Sequence, residues 1–399
     1  MFAGKVFLVL FVMLAGASEC NAEDGNVKLA RAQNHFALKL LKELCSKDPE
    51  SNVFFSPTSI SIALAMVYAG ARGNSEAELS TALGHIAAGL SSRESILESY
   101  KKILAEQQTY DNVSFMIANA VFVDKRLKVL ESYQKELVDT FAAMFRSVDV
   151  VAEKSAMESE VNEWVKNKTR GKISGFEIPA DTIMALLNAI YFKGLWKTPF
   201  ELNNTSPLPF YNKGSEKIKV ETMTRYGNVP FTSEPDFEAI ELPYKGDRHC
   251  MVIILPSEKK ELSKLRDAMT VESVEKIQGS LKEESLEIQL PKFDLKTDYG
   301  LVSALKKLGV RSIFSDADLS GITGDGGLRV TEVKHKAAIE VNEEGTEAAA
   351  ATVVRMGRSL PLSFALNRPF LFYIHEKATG RLLFLGEVHE LKAAKPTLG

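Results

Sequence analysis

Apolar positions along this chain fall into a few periodic runs, and each run predicts its own element. Leu29, Ala32, Phe36, Ala37, Leu40, Leu41 and Leu44 recur at helical spacing and predict an amphipathic helix with one core stripe. Ser56-Pro57 supplies a cap and a first-turn proline for a second helix. The stretch Ile60 to Tyr68 that follows is apolar all round, so this helix should be deeply buried. Ser91 to Gln107 reads as a surface helix, and Ser155 to Lys168 as another organised around Val161, Trp164 and Val165. Ile183 to Phe192 is almost continuously apolar, the pattern of a strand covered on both faces. Met251 to Leu255, Leu286 to Leu290 and Phe370 to Ile374 behave likewise, and Leu382 to Leu385 should pair with Phe370 to Ile374 through a turn containing Thr379-Gly380. Helices lead and strands concentrate later, which argues for an α+β fold and against a doubly wound α/β enzyme.

One segment has two readings. From Thr346 to Met356, side chains on a strand would alternate faces with period 2. Thr346, Ala348, Ala350, Thr352, Val354 and Met356 are uncharged, whereas Glu347 and Arg355 share the other face. Such parity suits a segment that slides into a sheet, because a one-residue slip would bury a charge. The four alanines, Ala348 to Ala351, thread easily past neighbours, and Val353 and Val354 favour the extended state. The same alanines also make a good exposed helix. Taken alone, the stretch is open between an insertable loop and a helix.

The 399 residues are 45% hydrophobic, ample for a large core. No Pro/Gly/Ser-rich linker, low-complexity tract or repeat divides them, so residues 23–399 are expected to form a single domain. A net charge of -3 gives no support to nucleic-acid binding. Lys5, the apolar run Val6 to Leu14 and the ending Cys20-Asn21-Ala22 match a secretory signal over residues 1–22. That run is far shorter than the roughly 20 residues of a membrane span. A secreted, extracellular product with no membrane partner is expected. Cys45 and Cys250 would then remain, and two buried free thiols are preferred over a disulfide. Asn112, Asn167, Asn203 and Asn204 each open a glycan acceptor triplet.

Enzyme chemistry has no visible footing. None of the six histidines, His35, His85, His249, His335, His375 and His389, pairs at i, i+4, and no cysteine pair completes a metal site. G-x-S-x-G, G-x-x-x-x-G-K and G-x-G-x-x-G are absent, and Gly324-Asp325-Gly326-Gly327 reads as a surface turn. No catalytic residue, metal or cofactor is expected.

Several motifs together resemble one family, the serpins, over residues 23 to 391. Asn188-Ala189-Ile190-Tyr191-Phe192-Lys193-Gly194-Leu195-Trp196 resembles the family's central-strand motif, and Ser51 to Ile60 the start of its buried second helix. Arg368-Pro369-Phe370-Leu371-Phe372-Tyr373-Ile374, with Gly380 and Leu383-Phe384-Leu385-Gly386, is similar to its C-terminal signature. The hinge Glu343, Gly345, Thr346, Glu347, Ala348, Ala349, Ala350, Ala351 and Thr352 fits the pattern of inhibitory members. Its secreted form and hinge most resemble arthropod serpins, those of tick saliva included.

The resemblance implies three β-sheets, about nine helices and an exposed reactive-centre loop over about 343–362. It implies a suicide substrate: a serine protease attacks the loop and forms an acyl-enzyme, and the loop then enters the central sheet and traps it. About 14 residues at roughly 3.3 Å each would give a strand of about 45 Å. By the same resemblance, Ser56, Ser59, Asn188 and His335 form a polar cluster beneath the point where the sheet opens. Trp196, Lys292 and Glu343 lie at the top of the sheet, with Glu343 and Lys292 paired.

Counting from Gly345 by the family's usual spacing puts the residue before the scissile bond at Ser359. Side-chain chemistry favours Arg358, with Ser359 following it, because an arginine fills the acidic pocket of a trypsin-like protease; Arg355 is a third candidate. A trypsin-like partner follows from Arg358. Arg93, Lys101 and Lys102 are mixed with Glu94, Glu98 and Glu106, so glycosaminoglycan binding is not indicated there. A monomer is expected. The alternative is a non-inhibitory serpin, a carrier or chaperone.

Overall fold

A computed structural model describes residues 26–107, 113–258, 260–343 and 362–394. Among these residues ten helices accompany fourteen strands. The helices are α1 (26–45), α2 (Pro57–Gly70), α3 (Gly73–Ala82), α4 (Arg93–Gln107), α5 (Glu131–Phe141), α6 (Lys154–Lys168), α7 (Leu262–Ala268), α8 (Val271–Ser280), α9 (Val302–Lys307) and α10 (Ser320–Thr323). The strands are β1 (Val53–Phe55), β2 (Val113–Asp124), β3 (Met144–Val148), β4 (Met184–Gly194), β5 (Thr205–Asn212), β6 (Glu216–Glu234) and β7 (Phe237–Pro243). They continue with β8 (His249–Pro256), β9 (Lys282–Pro291), β10 (Phe293–Gly300), β11 (Glu332–Val341), β12 (Leu362–Ala365), β13 (Phe370–Glu376) and β14 (Leu382–Val388).

α2 begins where Ser56 adopts an extended conformation and its hydroxyl accepts the Ser59 N–H, with Pro57 in the first turn. All fourteen of its residues are buried, as an all-round apolar helix requires. Burying each of its larger apolar side chains contributes roughly 1.5–3 kcal/mol, so this helix anchors the core beneath both sheets. α1 is enclosed more completely than a single stripe predicts. Ala30, Gln33, Asn34 and Leu38 are buried together with Leu29, Phe36, Leu40 and Leu41.

The five-stranded sheet runs β10-β11-β4-β2-β3, with β11 parallel to β4 and β2 parallel to β3. The continuous apolarity of β4 has a simple cause. Ile190 and Phe192 pack into the core shared with the second sheet, while Ala185, Leu187, Ala189 and Tyr191 pack against Met157, Val161 and Val165 of α6.

The second sheet follows the path β1-β14-β13-β8-β7-β6-β9-β12, with β5 added on β6. Two of the three sheets implied by the resemblance are therefore one hydrogen-bonded path, joined by the 19-residue β6, which pairs in turn with β5, β9 and β7. The β13–β14 hairpin forms as expected, and Gly380 in its turn has φ of 69°, a left-handed conformation that glycine adopts at little cost. Cys45 and Cys250 are free and buried.

Candidate functional site

The middle of the five-stranded sheet is a parallel seam. β11 and β4 pair from Glu332↔Ala185 to Ile339↔Phe192. Beyond that point β11 stays paired to β10 through Val341↔Phe293, and β4 to β2 through Gly194↔Val113. The two central strands thus part over their last two residues while their outer ladders continue. β11 leaves the sheet at this end, and the chain next rejoins described structure at Leu362 of β12.

A polar cluster crosses the seam on the face that meets α2. His335 of β11 and Asn188 of β4 are register partners. His335 Nε2 accepts the Ser56 backbone N–H at 3.1 Å, so its proton sits on Nδ1, which donates to Asn188 Oδ1. The Asn188 amide in turn donates to Ser59 Oγ and to Asn119 Oδ1, each at 2.6 Å. Ser56 Oγ donates to the carbonyl of Leu383 at 2.7 Å, tying the start of α2 to β14. All five residues are buried, His335 completely. Burial with no charged partner pushes the pKa of His335 down to about 3, so the ring is neutral and the tautomer is set by its two bonds.

A second set of contacts closes the parted end of the seam. Trp196 Nε1 donates to the Asn342 carbonyl at 3.1 Å, and the indole stacks on Tyr244 with ring centroids 4.6 Å apart. Gly194 admits that ring: a Cβ there would lie 2.6 Å from the Tyr244 ring carbons. Glu343, the last described residue before Leu362, is bound by Lys292 Nζ at 2.8 Å and by Thr205 Oγ1 at 2.7 Å. Burial opposes ionisation of Glu343, but the hydrogen bonds from Lys292 and Thr205 outweigh it and hold the carboxyl below its ordinary range.

The structure therefore brings Ser56, Ser59, Asn188 and His335 into one network, and Trp196, Lys292 and Glu343 to one end of the seam. Gly345, Thr346, Glu347, Ala348, Ala349, Ala350, Ala351, Thr352, Arg358 and Ser359 lie outside the described residues, as do residues 1–22 and Asn112. Asn167 is exposed at the end of α6, and Asn203 and Asn204 are exposed just before β5. Asn119, Thr205 and Tyr244 belong to these contacts and were missed in the sequence. Asn119 left a trace, as the sole polar residue between Ile117 and Val123. Thr205 and Tyr244 left none that sequence patterning detects. Arg93 is committed to structure, donating to the carbonyls of Tyr68, Ala69 and Ala71 at the end of α2.

Comparison with known proteins agrees with this architecture. The family model described as Serpin (serine protease inhibitor) matches residues 31–391. The chain is 40% identical to Iripin-2 of Ixodes ricinus over 396 residues, covering 96% of this chain and 97% of that one. Mouse protein-Z dependent protease inhibitor superposes with a TM-score of 0.85 at 27% identity, covering 93% of this chain and 100% of the other. Human thyroxine-binding globulin superposes at 0.84 and 28%, covering 92% and 99%. The protein belongs to the serpin family.

Proposed function

We propose that this chain is a secreted suicide-substrate inhibitor of trypsin-like serine proteases, cleaved between Arg358 and Ser359. The observation that carries the reading is the parallel seam, parted over its last two residues at the end where Glu343 is pinned. The small, parity-patterned segment Gly345 to Thr352 follows immediately. A segment turning back there would run antiparallel to both β11 and β4. It would replace one parallel ladder with two antiparallel ones, the slightly more stable pairing per residue.

In this reading the serine hydroxyl of the protease adds to the Arg358 carbonyl. The Arg358–Ser359 bond breaks, the Ser359 nitrogen leaves with a proton, and Arg358 remains esterified to the protease. Insertion of the hinge then carries the ester away from the site of attack before water completes hydrolysis. The polar cluster sets the resistance to opening. Parting β11 from β4 breaks His335–Asn188, and each buried group left unpaired costs about 1–3 kcal/mol. Secretion is supported by the signal pattern of residues 1–22.

A second reading, carriage of a small apolar ligand, draws on the likeness to thyroxine-binding globulin and on a cavity of about 280 Å³ beneath α7 and α8. Phe237, Leu265, Met269 and Ile277 line it, with Lys264 and Lys276 among its polar lining. Incubation of the mature chain with trypsin separates the two. The inhibitor reading expects a complex that survives denaturation and a released peptide beginning at Ser359. A peptide beginning at Leu360 would move the scissile bond to Ser359. Cleavage by trypsin, chymotrypsin and elastase with no complex would leave the carrier reading.

A further inference from the structure

Three residues, one from each of three strands, converge on the helix-facing side of the second sheet. Glu241 lies on β7, Cys250 on β8 and His375 on β13, with Cys250 and His375 in direct register. The carboxylate, thiol and imidazole ligand atoms all lie within 4.8 Å of one another. Cys250 is fully buried, and His375 and Glu241 are 4% and 8% exposed. Among the described residues this is the sole group of three or more possible metal ligands so assembled.

The site already holds a positive charge. Lys377 Nζ lies 2.9 Å from Glu241 Oε1, while its side chain is 38% exposed. His375 Nε2 contacts Glu241 Oε2 at 3.3 Å, and Nδ1 faces the Gln278 amide of α8 at 3.4 Å.

We propose that Glu241, Cys250 and His375 form a binding site for a divalent transition-metal ion of the zinc type. One carboxylate, one thiolate and one imidazole make a mixed O, S, N donor set, which suits zinc and not the oxygen-seeking calcium or magnesium. On binding, the Cys250 thiol releases its proton to water as the Sγ–metal bond forms, and two anionic ligands then neutralise the dication. Lys377 rotates out along its flexible stem, opening a fourth position for water and a path from solvent. For His375 to ligate through Nε2, its proton must sit on Nδ1. The Gln278 amide serves this by turning its oxygen to accept that proton, a supporting contact that orients the ring. The bound ion would staple β7, β8 and β13 together. No short motif announces the group, because three strands contribute one ligand each.

The test uses metal-stripped, full mature protein titrated with Co²⁺ and competed with Zn²⁺. The proposal expects one equivalent bound, a thiolate-to-cobalt charge-transfer band, and a rise in unfolding temperature with Zn²⁺. Cys250→Ser should lose the band, and His375→Gln should bind at least about tenfold more weakly. Cys45→Ser should bind normally, and Lys377→Met should bind more tightly because the competing ammonium is gone. Absence of the band in the wild type, or equal affinity in Cys250→Ser, overturns the site. If Cys250→Ser does not fold, unchanged affinity in Lys377→Met overturns it instead.

Discussion

His335 on β11 and Asn188 on β4 face each other in register across the parallel seam and share a hydrogen bond through Nδ1 and Oδ1. That bond sits four residues below the last paired position, Ile339. From Asn188 the network continues to Ser59 and Asn119, and from His335 Nε2 to the backbone of Ser56. The seam, the neighbouring strand β2 and the start of α2 are thus joined through two side chains. β11 cannot separate from β4 at this level without breaking the contact.

His335→Ala and Asn188→Ala each leave buried polar partners unpaired, and about 1–3 kcal/mol of native stability should go with them. Urea unfolding midpoints report the loss. Inhibitory activity of each variant should also decay faster on warming, as the seam opens and the loop enters the sheet unprompted. Unchanged midpoints and unchanged decay would mean that the cluster does not latch the seam.

Acid should weaken the same latch. The folded pKa of His335 is depressed to about 3, against about 6.5 for an exposed histidine. The unfolded or opened chain therefore binds the proton more readily, so the stability is present above about pH 6.5 and is lost as pH falls toward 3. His85 and His249, each depressed to about 4 mainly by burial, act in the same direction. The wild type should lose stability on going from about pH 7 to pH 5 more steeply than His335→Gln. Parallel slopes in urea midpoint against pH would remove His335 from the account.

At the top of the seam, Lys292→Met should loosen the hinge. Lys292 is partly exposed, so screening limits the loss to roughly 1 kcal/mol. The larger effect should be kinetic, as faster conversion to a non-inhibitory form. Because the Glu343 carboxyl is depressed, its contribution is present above the ordinary carboxylate range and is lost as pH falls below it. Lys292→Met should shrink that acid-dependent step in the conversion rate, because Thr205 still supports the carboxylate.

In the proposed mechanism, replacing Thr346 by Arg places a charge on the face that would enter the sheet. Burying an unpaired charge costs several kcal/mol. Trypsin should still cleave Thr346→Arg, but most molecules should be released as cleaved substrate. Gel densitometry of complex against cleaved product reads the partition, and a complex fraction equal to wild type would rule out insertion along this parity.

Much of the fold was legible because single-element physics dictates it. The all-round apolarity of α2 requires burial on every side, and every residue of α2 is buried. β4 reads as covered on both faces because two cores meet it. The β13–β14 hairpin follows from two apolar runs and a glycine turn. What escaped were features defined by pairing. β6 is partly exposed along most of its length and carries no clean alternation, so its 19 residues read as nothing until three partners give it register. The resemblance located His335, Asn188, Ser56 and Ser59, whereas Asn119 and Thr205 gain their meaning only from where neighbouring strands place them.

The most direct test of the central claim is the unfolding temperature of the chain before and after cleavage in the reactive loop by a protease that forms no complex. If the seam opens to take the loop as an added strand, the cleaved protein should unfold more than about 10 °C higher than the intact one. An equal or lower unfolding temperature after cleavage would contradict insertion, and with it the inhibitory mechanism.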